Sequence, residues 1–250
     1  MYGLKQAAVL AYEFLSRLLT KAGYMPILGS LGMWKHSTQK ILFNVCVDDF
    51  GIKYYHKSNV QHLIDTVQQK YQCKCDWTGK NFLGFTLDWH YEQGYVDLSM
   101  PNYISCVLQK LKYTPSSLPQ YSPHRPMPFI YPQKGSRQYA PSPSNSPVLN
   151  ATKTKWIQSA IGSILFYSRA LDSTMLPTLH TLSTQQALPT KQTQQDVHCL
   201  LDYANTYKNT CLWFYASDMI LHIDSDAAYL ILPNACSQIA GYFHLLDKSQ

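Results

Sequence analysis

The stretch Asn44–Tyr54, NVCVDDFGIKY, sets two adjacent acids, Asp48 and Asp49, between two apolar, strand-like runs. Two like charges side by side near a protein surface cost about 1 kcal/mol. Such a pair either sits solvated at a turn or holds a cation. An Asp at a turn with Gly51 close behind favours a tight hairpin. The segment therefore reads as strand, a turn over DDFG, and strand. At a hairpin apex both acids can project toward the tip. Carboxylates are the hard oxygen ligands that Mg²⁺ prefers. Two-metal phosphoryl transfer needs such ligands around two ions about 3.5–4 Å apart.

Outward from this hairpin the pattern alternates between helix and strand. Upstream, Ala7, Leu10, Ala11, Phe14 and Leu18 recur at helical spacing, with Lys21 in the last turn and Gly23 as a stop. Downstream, Ser58 or Asn59 can cap a helix that places Val60, Leu63, Ile64 and Val67 on one face. NFLGFTLDWHYEQGYVDLSM reads as a second hairpin turning at Gln93-Gly94. Pro101 opens a short helix with Ile104, Val107, Leu108 and Leu111 on one stripe.

From Tyr113 to Asn150 the periodicity is lost and most of the prolines gather, mixed with Ser, Gln and Tyr. Such composition makes an extended linker or an irregular wrap, and marks a domain boundary. Its SPHRPMPF run can present a polyproline surface, as in an α+β binding module, though such stretches usually serve as linkers. Helical periodicity then returns with Ile157, Ala160, Ile161, Ile164 and Leu165. A second helix is expected through Met175, Leu179 and Leu182, and a third after a Thr190 cap with Val197, Leu200, Leu201 and Ala204. CLWFY, MILHIDSDAAYLIL and IAGYFHLL read as closing strands that begin a sheet.

Composition narrows the partners. A net charge of +6 and a pI near 8.8 are mildly basic, which suits nucleic acid without demanding it. Seven cysteines, an odd number at irregular spacing, describe reduced thiols of a cytosolic or nuclear protein, and Cys73-Lys74-Cys75 is too tight for a zinc knuckle. No run is long and apolar enough to span a bilayer. Lys5, Glu13 and Arg17 interrupt the opening segment, so it is no signal peptide.

The order of features narrows the reading further. YGLKQA, a helix, a strand–VDD–strand hairpin, a helix and FLGFTLDW resemble the palm of a reverse transcriptase, and more closely the copia-type LTR-retrotransposon polyproteins. The likeness runs through most of the chain. LSMPNYISCVLQKL is similar to the segment after the palm. IQSAIGSILFYSRALDSTML resembles the helix after the linker, with Arg169 and Asp172 in the Arg-x-x-Asp arrangement. LHIDSDAAYL resembles the first strand of an RNase H domain.

This resemblance implies an α+β chain of four parts: a partial palm and thumb-like region over 1–112, a Pro/Ser-rich linker over 113–150, a helical connection over 151–210, and the start of an RNase H-like sheet over 211–250. It implies an RNA-directed DNA polymerase working on an RNA template, a DNA primer and deoxynucleotides, with Mg²⁺ or Mn²⁺ as cofactor. Asp48 matches the metal ligand of the catalytic hairpin and Asp49 its supporting acid. Gln6 matches the residue facing the incoming nucleotide, and Lys5 beside it can reach phosphate. Phe82, Leu83, Gly84 and Phe85 match the primer grip, whose bland alternative is a plain core hairpin. Asp226 matches the first RNase H carboxylate and is a further candidate metal ligand.

The same family places another metal-binding Asp and the fingers upstream of YGLKQ. The two-metal site is therefore expected to be incomplete in this chain and the chain inactive alone. The alternative is a non-enzymatic remnant with at most weak nucleic-acid binding. Cys46 stands before VDD where the family usually carries Tyr or another bulky residue, and Gln238 stands where relatives commonly carry Arg. An incomplete palm would expose a sheet edge and an apolar face, so marginal stability is expected.

Overall fold

The structure, a computed structural model, describes residues 6–125, 146–232 and 236–248, with the side chains at 231 and 232 excepted. The chain divides into two compact units, Met1–Leu87 and Asp88–Gln250.

The first unit is an antiparallel meander with two helices packed on one face. Helix α1 (Ala7–Lys21) leads into strands β1 (Tyr24–Pro26), β2 (Met33–His36), β3 (Ile41–Cys46) and β4 (Asp49–Tyr54), ordered β1-β2-β3-β4. Helix α2 (Lys57–Gln68) follows, and β5 (Asn81–Phe82) pairs with the start of β6 (Phe85–His90). Alternation along β3 and β4 sorts the residues. Ile41, Phe43 and Val45 face Tyr54, Ile52 and Phe50 across the ladder. Phe43 and Ile41 are buried with Leu19, Tyr24, Trp34, Val60, Leu63 and Val67, while Val45, Phe50 and Ile52 pack against that cluster. Aromatic rings dominate this small core: Tyr24 meets Phe43 edge-on at 5.4 Å, and Trp34 stacks with Phe43 at 6.5 Å.

Two local expectations need correction, and two strands carried none. Strands β1 and β2 went unread, because three or four residues, one of them Pro26, are too few to display a period. Helix α2 begins after His56 with no side-chain cap, so neither Ser58 nor Asn59 caps it. The turn of the β3–β4 hairpin is not DDFG but Val47-Asp48, closed by the Cys46↔Asp49 pair.

In the second unit, helices α3 (Tyr103–Lys110), α4 (Ala151–Ala170), α5 (Leu176–Gln185) and α6 (Lys191–Thr206) share one core. Ile104, Val107, Ile157, Ile161, Ile164, Leu179, Leu200 and Leu201 are buried in it. Thr190 caps α6 as expected, in a reciprocal pair with Thr193. Asp172 caps the short 3₁₀ turn Ser173–Met175 by accepting from the Thr174 amide.

Residues 113–125 form an irregular wrap along α6. The Tyr113 hydroxyl donates to Asp202 at 3.0 Å, the Ser116 amide to the same oxygen at 2.9 Å, and the Gln120 amide to Thr206 Oγ1 at 2.9 Å. Burial, with Asp202 beside it, pushes the Tyr113 phenol above its ordinary range. Residues 126–145 of the proline-rich stretch lie outside the described residues.

Strand β8 (Cys211–Tyr215) departs from its reading as the first closing strand: it pairs antiparallel with β7 (Tyr95–Ser99), Tyr215 opposite Tyr95. Strands β9 (Ile220–Leu232) and β10 (Cys236–Leu246) make a separate two-stranded ribbon. Alternation makes it two-sided. Leu221, Ile223, Ala227, Ile239, Phe243 and Leu245 share one face, and His222, Asp224, Asp226, Tyr242 and His244 the other.

Two measurements follow from this packing. Tyr24 is 1% exposed, hydrogen-bonds His62 Nδ1 at 2.8 Å, and burial raises its phenol to about 12. An acid whose folded pKa lies above its unfolded one stabilises the fold fully below pH ~10, and that contribution is lost as pH rises from ~10 to ~12. Urea melts across this range should show the loss, up to about 3 kcal/mol, flattened in Tyr24→Phe. Asp202→Ala removes the acceptor of two hydrogen bonds and should destabilise by about 1–3 kcal/mol. Hydrogen exchange at the Ser116 amide should then speed up while the helix cores stay protected.

Candidate catalytic hairpin

The acidic pair sits where the β3–β4 ladder ends. Asp48 is the second residue of the turn and Asp49 the first of β4. Both are exposed, and neither carboxylate makes a hydrogen bond or ion pair among the described residues. The backbone before them is strained. Val47, the first turn residue, has φ +55, a left-handed conformation that disfavours a β-branched side chain.

Pleat parity fixes the side on which Asp49 lies. Phe50 and Ile52 face the helices, so Asp49 and Gly51 take the opposite face with Asn44 and Cys46. That face is where the FLGF hairpin arrives. A Cβ on Gly51 would lie 3.0 Å from Phe82 Cζ and 3.1 Å from its Cε2. Gly51 is therefore needed mid-strand, where Phe82 comes close, and not in the turn. FLGF makes a tight hairpin of its own. Phe82 pairs with Phe85, while Leu83 and Gly84 between them have φ +53 and +82. Two positive central φ values match the right-handed twist of the flanking strands. Phe82, Leu83 and Phe85 are half-buried and Gly84 is exposed.

Gln6 is exposed at the N-terminal end of α1, and no hydrogen bond joins it to Asp48 or Asp49 among the described residues. Lys5 lies outside the described residues. Asp226 belongs to the second unit, exposed on the polar face of the β9–β10 ribbon, opposite Ala240, with Oδ1 on the Ala227 amide. Arg169 lines a shallow, solvent-open depression with Gly162, Leu165 and Phe166. The hairpins at 44–54 and 82–85 are thus brought together by the approach of Phe82 to Gly51.

The model of the family described as reverse transcriptase (RNA-dependent DNA polymerase) matches residues 1–126, half of the chain. The chain belongs to that family. No curated protein and no solved structure matches it. For a reverse transcriptase, the match covers both hairpins and leaves Asp226 beyond its end. No described helix is long and apolar enough to cross a membrane.

Sequence reasoning missed a second group that can hold a metal: Asp88, His90 and Asp97, whose ligand atoms lie within 4.8 Å of one another. The available signal was the D-x-H spacing on β6, since residues two apart share a strand face.

Gly51→Ala tests the contact between the hairpins. Overpacking against Phe82 should cost about 1–3 kcal/mol in chemical denaturation. Gly51→Ala with Phe82→Leu should recover much of it, and additive losses would show that the contact carries no coupling.

Proposed function

We propose that this reverse transcriptase chain carries the catalytic hairpin of an RNA-directed DNA polymerase, and that it is inactive by itself. The observation that carries the reading is the exposed Asp48–Asp49 tip, with Asp49 on the sheet face that Phe82 approaches. Asp48 is the metal ligand and Asp49 supports the site. Two hard oxygen donors fit Mg²⁺ or Mn²⁺, which supplies charge neutralisation at the attacking and leaving oxygens during nucleotidyl transfer. The copia-type resemblance supports the remaining roles. Phe82 to Phe85 steady the primer 3′ end, and Gln6, with Lys5, faces the incoming deoxynucleotide. In the reaction the primer 3′-hydroxyl attacks the α-phosphate and pyrophosphate leaves.

The chain's own residues supply only part of such a site. Among the described residues, no third His, Cys, Asp or Glu stands with Asp48 and Asp49 at metal-ligand spacing. A two-metal centre with two carboxylates would hold its ions weakly, and the alternative reading is a non-enzymatic chain with at most weak nucleic-acid binding through basic and aromatic surface. Asp226, in the middle of β9, supports reading the ribbon as the start of an RNase H domain by resemblance.

Primer extension on an RNA template with Mg²⁺ tests the proposal. The 250-residue chain alone should incorporate no deoxynucleotide above background. Joined to a palm segment that supplies the further carboxylate, it should extend the primer, and Asp48→Asn should lower that rate at least a hundredfold. Extension that survives Asp48→Asn would remove Asp48 from the site. Extension by the chain alone, lost in Asp48→Asn, would keep the hairpin and discard the inactivity.

A further inference from the structure

The Asp88–His90–Asp97 group has no part in the polymerase reading, and it lies entirely within the second unit. His90 Nε2 is 3.2 Å from Asp97 Oδ2 and 3.8 Å from Asp88 Oδ2. Zinc bonds N and O ligands at about 2.0–2.2 Å in tetrahedral geometry, which sets its ligands about 3.3–3.6 Å apart. The two separations from His90 bracket that edge and the third pair lies within 4.8 Å, so rotation of the two carboxyl groups closes the set.

The surroundings favour a cation over a bare ion pair. Among the described residues, neither carboxylate pairs with Lys or Arg, so two acids share one imidazole. A neutral His90 balances neither charge, and a protonated one balances only one. Asp97 Oδ1 is buried and has no hydrogen-bond partner among the described residues. Burying part of an uncompensated carboxylate is costly, and a dication bound through Oδ2 would neutralise its charge. The imidazole is already oriented, stacked on Tyr95 with centroids 4.5 Å apart. The Asp97 charge also reaches Cys211, whose thiol is pushed up first by burial and then by Asp97. Imidazole with two carboxylates suits Zn²⁺ better than Mg²⁺, which takes oxygen ligands and keeps its waters.

We propose that Asp88, His90 and Asp97 form a structural Zn²⁺ site, with water completing the coordination, that clips the end of β6 to β7. Dialysis against Zn²⁺ of tag-free, chelator-stripped full chain should leave one more equivalent bound to the parent than to Asp88→Asn or His90→Gln. Zn²⁺ should raise Tm in the parent and much less in either variant. Asp88 is exposed, so Asp88→Asn keeps the fold and remains informative if His90→Gln does not fold. The thiols can bind zinc independently, so Cys211→Ser should retain the extra equivalent, and the Co²⁺-loaded site should lack a thiolate charge-transfer band. Asp48→Asn should change nothing, which separates this site from the polymerase reading. Equal zinc stoichiometry and equal Tm shift in parent and Asp88→Asn would overturn the proposal.

Discussion

The register of β3 against β4 is the constraint on which the first unit rests. With Cys46 opposite Asp49, Phe43 lies opposite Ile52 and Val45 opposite Phe50, and all four turn toward α1 and α2. A slip of one residue would send Asp49 and Lys53 into an aromatic core and put Phe50 and Ile52 in water. Burying an unpaired carboxylate costs far more than the turn geometry can return. The apolar pattern thus holds the register, and the register holds both acids at the tip, with Asp49 on the face away from the helices. The strained Val47 backbone is tolerated because packing on both strands fixes the chain on either side of it.

Much of this was legible in the sequence because it depends on short-range period. The helices around Leu10, Val60, Ile157 and Val197 announce themselves every three to four residues, though the Val60 helix starts without the side-chain cap its sequence offers. The Thr190 cap is the legible case: one hydroxyl and an amide three residues on decide it. The acidic pair could be placed near a hairpin turn from the apolar runs on either side of it, although the turn itself is Val47-Asp48.

What stayed hidden needed information from elsewhere in the chain. Gly51 looked like a turn residue because glycine usually marks backbone freedom, yet its role is to leave room for Phe82. Nothing near Gly51 encodes that. Strand β8 carries a strong strand pattern but no sign that its partner is β7, which is distant in sequence. The Asp88–His90–Asp97 group has the same origin: two members share a strand face, and the third comes from the strand that follows. Contacts of this kind are set by the tertiary fold.

The β9–β10 ribbon has its own consequence for how the molecule behaves in water. Leu221, Ile223, Ile239 and Phe243 are each more than half exposed on one side, while His222, Asp224, Asp226 and His244 line the other. A two-stranded ribbon has no second layer with which to dry its oily side. Each square ångström left wet forfeits about 25 cal/mol, so the ribbon behaves like one slice of an unclosed sandwich. Crowding molecules together offers those slices to one another, so self-association through this face should grow with concentration.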